Sequence, residues 1–132
     1  MRFTALRLVT ADVGVLARFY AAVTGVAAVG SDEYVELRVA GATLSICSAS
    51  AGRLFCGGAV PAMNRSAILD FEVEDVDAER ARLEGIVLDW VLPPATQPWG
   101  NRSMLFRDPD GNLVNLFARA PVMAVRYCRT CG

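Results

Sequence analysis

SMLFRDPDGNLVNLF, residues 103–117, decides the fold. Two runs of alternating polar and apolar residues, Ser103–Arg107 and Leu113–Phe117, flank Asp108, Pro109, Asp110 and Gly111. Proline fixes the backbone angle that the second position of a turn needs, and glycine suits its end, so the segment predicts an antiparallel hairpin. Working back toward the N-terminus, Pro93, Pro94 and Pro98 predict an irregular crossing, preceded by a strand over 86–92. Val76, Arg80 and Leu83 recur at helical spacing after Asp75 or Asp77, either of which can cap the helix, and Gly85 can close it. Before that helix, Leu69, Phe71 and Val73 alternate with Ile68, Asp70 and Glu72 across a strand over 67–73.

The first half repeats the plan. A strand over 2–9 is followed by DVGVLARFYAAVTG, residues 12–25, in which Leu16, Phe19, Tyr20 and Val23 form one helical stripe between a capping Asp12 and a terminating Gly25. Alternation returns over 34–39, with Val35, Leu37 and Val39 on one face, and over 43–47 after a turn at Gly41. Asp12 and Asp75 stand 63 residues apart, and the turn glycines Gly41 and Gly111 stand 70 apart. Two diverged copies of one module explain both offsets. Each sheet has an apolar face that its own helix can cover and a polar face left for another purpose. The expected fold is α+β: two βαβββ modules, about 1–50 and 66–118, whose curved mixed sheets form a cleft with the helices outside, then a tail over 119–132.

Composition narrows the chemistry further. The 132 residues are 54% apolar and 20% charged, the balance of a chain that builds a core. A net charge of -1 offers no long-range attraction for nucleic acid or anionic membranes. No stretch approaches the roughly 20 apolar residues of a membrane helix, and no secretory signal is visible, so a cytoplasmic location with reduced thiols is expected. Cys47 and Cys56 read as structural. Cys128 and Cys131 form a CxxC pair near the end of the chain, readable as a redox dithiol or half a zinc site, though no second pair stands nearby and a disordered tail is the simpler reading.

All thirteen basic residues are arginine, and histidine is absent. Imidazole bases, imidazole metal ligands, Ser/His or Cys/His nucleophiles, Schiff bases and P-loops are thereby excluded.

With these elements in place, Asp12, Arg18, Phe19, Tyr20 and Gly25 resemble the first-helix signature of the glyoxalase/bleomycin-resistance/extradiol dioxygenase (vicinal oxygen chelate) superfamily. Phe71, Val73, Asp75 and Val76 resemble its second-module opening. Pro98, Trp99, Gly100, Arg102, Phe106 and the run Asp108–Asn112 resemble its closing hairpin in bleomycin-resistance-like members. The resemblance covers residues 1–118. It implies the two-module fold and a homodimer, but it is poorly specific for activity, because the superfamily spans lyases, isomerases, dioxygenases, thiol transferases and drug-sequestering proteins.

The superfamily's enzymes generally hold a metal with four His, Glu or Gln ligands, and the resemblance carries those positions onto Ala5, Ser45, Ile68 and Asn115. No metal or other cofactor is therefore expected, although carboxylates such as Glu36, Asp70 and Glu72 share the polar faces. Alternation places Arg7, Tyr34, Glu36, Arg38, Ser45, Cys47, Asp70, Glu72 and Asn115 on those faces. Trp90 and Trp99 are candidates for stacking on a flat guest, and Arg102 for pairing with a polar group. The acidic series from Asp70 to Glu79 can attract a cationic compound, or simply be a solvated strand end and helix start.

The expected function is binding of an aromatic or amphipathic small molecule, as in the drug-resistance branch. Arg7, Tyr34, Arg38, Ser45, Asp70, Trp90, Trp99, Arg102 and Asn115 are the ligand-binding candidates. The alternative is a metal-free lyase, isomerase or dioxygenase-like enzyme of the same superfamily, with Glu36 or Glu72 as acid or base and Arg7 or Arg38 stabilising an anion. A regulatory or structural dimer module is a third reading, for or against which no residue speaks.

Overall fold

The computed structural model describes residues 1–50 and 57–120; the expectations for Cys56 and for the Cys128/Cys131 pair lie outside them. The chain divides into two compact units, the first built on Met1–Arg65 and the second beginning at Ser66, with the turn Pro109–Gly111 grouped with the first.

The first unit runs β1 (Ala5–Thr10), α1 (Val13–Thr24), β2 (Val29–Gly30), β3 (Tyr34–Val39) and β4 (Ala42–Ser48). Its sheet has the order β1-β4-β3-β2, with β1 parallel to β4 and the other pairs antiparallel. A parallel pair needs a crossover, and α1 supplies it. Asp12 caps this helix by accepting from the Val15 N–H at 3.1 Å, and Gly25 ends it at φ 72°, donating its own N–H to the Ala21 carbonyl at 2.9 Å. The stripe of Leu16, Phe19, Tyr20 and Val23 is buried, joined by Val13 and Ala17. Its sheet partners are Val35, Leu37, Leu44 and Ile46, all buried on one face.

The two-residue β2 escapes a reading by alternation because it is too short to show one. Its Gly30 is required by close approach: at φ 150°, an added Cβ would stand 2.1 Å from the Tyr34 carbonyl oxygen.

The second unit repeats this order as β5 (Ile68–Glu72), α2 (Val76–Arg82), β6 (Asp89–Thr96), β7 (Arg102–Arg107) and β8 (Leu113–Ala118). The sheet order is β5-β8-β7-β6, with β5 parallel to β8. Asp75, rather than Asp77, caps α2, accepting from the Ala78 N–H at 3.0 Å. Val76, Leu83 and Val87 pack with Leu69, Met104, Phe106, Val114 and Leu116 in the core of this unit. The hairpin turn is clasped by side chains: Asp108 accepts from the Asn112 N–H at 2.9 Å and from its Nδ2 at 2.7 Å, and both residues are buried.

One stretch corrects the sequence reading. The strand expected over 86–92 begins at Asp89 and runs to Thr96, straight through Pro93 and Pro94. Ile86 and Val87 instead close the end of α2, both donating to the Leu83 carbonyl at 3.0 Å. The prolines are tolerated because β6 is an edge strand whose register with β7 shifts twice, between Trp90 and Leu92 and between Leu92 and Ala95. An edge strand has one side without ladder bonds, and a bulge leaves further N–H groups unused.

Candidate functional site

The strand pairings make the internal repeat concrete. Ala5 pairs with Thr43 and Arg7 with Ser45; in the second unit Ile68 pairs with Leu113 and Asp70 with Asn115. Each residue sits at the same place in its module as its counterpart, so the four positions implied as metal ligands do lie on the polar faces. Their chemistry does not fit a metal. Ala5 and Ile68 carry no donor atom. Ser45 Oγ is engaged by the Tyr34 hydroxyl at 3.1 Å, and Asn115 donates from Nδ2 to Asp70 at 2.9 Å, which leaves neutral oxygens where a divalent site needs three ligands of adequate strength. Among the described residues no group of three His, Cys, Asp or Glu side chains is close enough to hold an ion.

On the first unit's polar face, Glu36 and Arg7 flank Ser45 in register, from β3 and β1 respectively. The Tyr34 hydroxyl lies 2.9 Å from Glu36 Oε1 as well as 3.1 Å from Ser45 Oγ, and Arg38 stands 3.6 Å from the same carboxylate. This is a connected polar cluster with Tyr34 at its centre. Ser45 and Cys47 are buried on that face, whereas Arg7, Tyr34 and Arg38 are exposed.

On the second unit's polar face, the structure has a hollow. Asp70, Trp99, Asn101, Ser103, Asn115 and Phe117 line a cavity of about 180 Å³. Alternation along β5, β7 and β8 turns Asp70, Ser103, Asn115 and Phe117 to the same side, away from the buried Leu69, Met104, Val114 and Leu116. Trp99 enters from the turn between β6 and β7, which closes when the Gly100 N–H donates to the Gln97 carbonyl at 2.9 Å and the Gln97 N–H donates to the Asn101 carbonyl at 2.7 Å. Pro98 and Gly100 hold the tryptophan at the tip of this turn, 59% exposed. The polar groups are fixed in turn. Gln97 Nε2 donates to Ser103 Oγ at 2.9 Å, and Asn101 Oδ1 accepts from the Ala120 N–H at 2.7 Å.

The structure thus brings Asp70, Asn115 and Trp99 together. It does not bring Trp90 or Arg102 to the same place. Trp90 pairs in register with Phe106 and so faces the helix side; its ring meets Phe106 edge-on at 5.6 Å and carries the Arg80 guanidinium 3.7 Å above it. Its stacking partner is already part of the protein. Arg102, on the same side as Met104 and Phe106, forms a two-pronged ion pair with Asp77 of α2 at 2.6 and 2.8 Å. That hydrogen bonding holds the Asp77 carboxyl below the usual carboxylate range and raises the guanidinium above its own. An acceptor or donor so engaged has little left for a guest.

Glu72 lies beside Asp70 on β5 but is bound by Arg119 at 2.7 Å. The Glu36 and Glu72 side chains keep 34% and 49% of their exposure, so neither has the burial that the acid–base reading needs.

Asn101, Ser103 and Phe117 were not among the sequence candidates. Phe117 had a signal, since it continues the alternation of Leu113 and Asn115, and Ser103 faces it across the hairpin in register. Asn101 had none, because its place depends on the turn geometry.

The comparisons with known proteins agree on the fold. The model of the family described as Glyoxalase/Bleomycin resistance protein/Dioxygenase superfamily matches residues 2–116. A glyoxalase-related enzyme from Fulvimarina pelagi is similar with a TM-score of 0.78 at 23% identity, covering 90% of this chain and 88% of that one. A glyoxalase/bleomycin resistance protein/dioxygenase from Nocardioides gives 0.75 at 24%, covering 92% and 85%. A family enzyme from Burkholderia phytofirmans PsJN gives 0.77 at 15%, covering 87% and 96%. At these identities the likeness carries the fold and not the reaction. No curated protein matches. With a matching family model over most of its length and the module built twice in the same strand order, the chain belongs to the Glyoxalase/Bleomycin resistance protein/Dioxygenase superfamily.

Proposed function

We propose that this protein binds an aromatic or amphipathic small molecule and sequesters it without a metal. The observation that carries the reading is the hollow on the second sheet, where the Trp99 and Phe117 rings stand beside the hydrogen-bonding groups of Asp70, Asn101, Ser103 and Asn115. Apolar walls with a few fixed polar groups are the usual make-up of a small-molecule site. At about 180 Å³ the hollow is smaller than the roughly 300–1,000 Å³ of sites for drug-sized ligands, so it suits one ring or head group of the guest. Arg7, Tyr34, Arg38 and Ser45 belong to the proposal as ligand-binding candidates on the first unit's own polar face.

A cytoplasmic homodimer belongs to the same proposal. Its support is the edge strand β6, which exposes Val91 and Leu92 beside Leu88. Among the described residues no helix is long and apolar enough to cross a membrane.

The test is a thermal-shift screen of aromatic antibiotics and metabolites, run beside metal analysis of protein purified without chelators. Stabilisation by a compound that is recovered unchanged supports sequestration, because a guest that binds only the folded chain raises its stability by mass action. A stoichiometric, tightly held metal refutes it. Light scattering at micromolar concentration checks the dimer, and a monomeric mass removes that part.

A further inference from the structure

We infer that the head group recognised in the hollow is a cation, a protonated amine carried on an aromatic or short apolar body, with Asp70 as its counter-ion. The inference rests on the binding function proposed above and names the chemistry that the same site selects.

Among the described residues Asp70 is the one charged residue lining the hollow. The other carboxylates of the polar faces differ from it. Glu72, two residues along the same strand, pairs with Arg119, and Glu36, on the first unit's sheet, pairs with Arg38. Among the described residues Asp70 has no cationic partner; Asn115 Nδ2 holds its Oδ1 at 2.9 Å, and Oδ2 has none. The carboxylate is therefore oriented on one oxygen and open on the other.

Trp99 completes the argument. A cation near the face of tryptophan is attracted by the ring quadrupole, an interaction that strengthens as water is excluded, and Trp99 shares the hollow with Asp70. Phe117 contributes apolar wall, since its ring already has the Arg119 guanidinium 5.7 Å from its centroid. Side-chain oxygens of Ser103 and Asn115 supply further acceptors for ammonium hydrogens. An anion would meet Asp70, and among the described residues no arginine lines the hollow to offset it; Arg119, over the Phe117 ring, is paired with Glu72. A neutral body of the same shape would gain the ring contacts and lose the charge-assisted hydrogen bond.

The experiment uses the isotope-labelled full-length chain and three probes of nearly one shape: benzylamine, benzyl alcohol and benzoate, titrated at pH 7 with amide shifts followed by NMR. The expected result is tightest binding of benzylamine, with shifts centred on Ser103, Asn115 and Phe117. Asp70→Asn is expected to weaken benzylamine about tenfold or more and to leave benzyl alcohol nearly unchanged. Benzyl alcohol or benzoate binding as tightly as benzylamine to the unaltered chain overturns the choice of a cation while the aromatic site stands. That comparison needs no variant to fold. If none of the three shifts any amide around the hollow, and the wider aromatic screen is also blank, the site itself fails and the cation with it.

Discussion

The two tryptophans provide a direct check on which face of the second sheet is structural and which is open. Trp90 is half-buried between the Arg80 guanidinium at 3.7 Å and the edge-on Phe106 ring at 5.6 Å, whereas Trp99 is 59% exposed at a turn tip. Trp90→Ala removes a packed indole, an aromatic pair and a cation–π contact together. Full burial would set the cost at about 3–5 kcal/mol, and partial burial lowers the packing share to about 1–2. The ring pair adds about 0.5–1.5 and the cation–π contact about 0.5–1, for a total of about 2–4.5 kcal/mol. For a domain of this size each kcal/mol moves the melting point by about 3–5 °C, so a fall of about 6–22 °C is expected. Trp99→Ala should cost under about 0.5 kcal/mol, as surface changes do, and instead remove guest binding. Urea denaturation followed by far-UV circular dichroism reads both variants, since neither relies on tryptophan fluorescence. If Trp99→Ala proves the more destabilising of the two, the assignment of the faces is wrong.

Gly30→Ala should destabilise by about 1–3 kcal/mol, because the new Cβ would collide with the Tyr34 carbonyl 2.1 Å away; faster amide exchange at Gly30 itself is the local readout, as β2 can peel off alone. Asp12→Ala and Asp75→Ala should each cost about 1 kcal/mol through loss of a helix cap, measured by thermal denaturation, with Asn in place of Asp retaining most of it. Because Arg102 lowers the folded-state pKa of Asp77 below its unfolded value, the pair's stabilisation is present above about pH 4 and lost as pH falls through the lowered value. Asp77→Asn should therefore flatten the acid limb of the stability curve, and high salt should mimic it, since both side chains are solvent-exposed. Asp108→Ala should cost about 2–3 kcal/mol in denaturant titration by stranding the buried Asn112 amide groups.

Most of the fold is legible in the sequence, because nearly every element carries a periodicity, a cap or a turn of its own. Asp12 and Gly25 bracket α1, and Asp108 to Gly111 mark the last hairpin, by local chemistry that tertiary contacts do not override. What escaped was set by position in the sheet. Pro93 and Pro94 argue against a strand unless that strand is known to lie at an edge with bulges. The candidate site divides the same way. Alternation put Asp70 and Asn115 on the polar face, where the pair forms. Trp90 and Arg102 invite a binding role by residue type, and type does not reveal that Phe106 and Asp77 already occupy them. The bulges of β6 shift its phase between Trp90 and Leu92, so counting residues from the turn could not have assigned Trp90 to a face.

The matched pairings Arg7 with Ser45 and Asp70 with Asn115 have a consequence for how the chain has evolved. Duplication copied the scaffold faithfully enough that strand order and register persist, yet at the matching place one half presents a guanidinium and the other a carboxylate. The descendants of one ancestral module have thus kept their architecture in common while parting company in polarity, so what one face can hold says nothing of what its twin will accept.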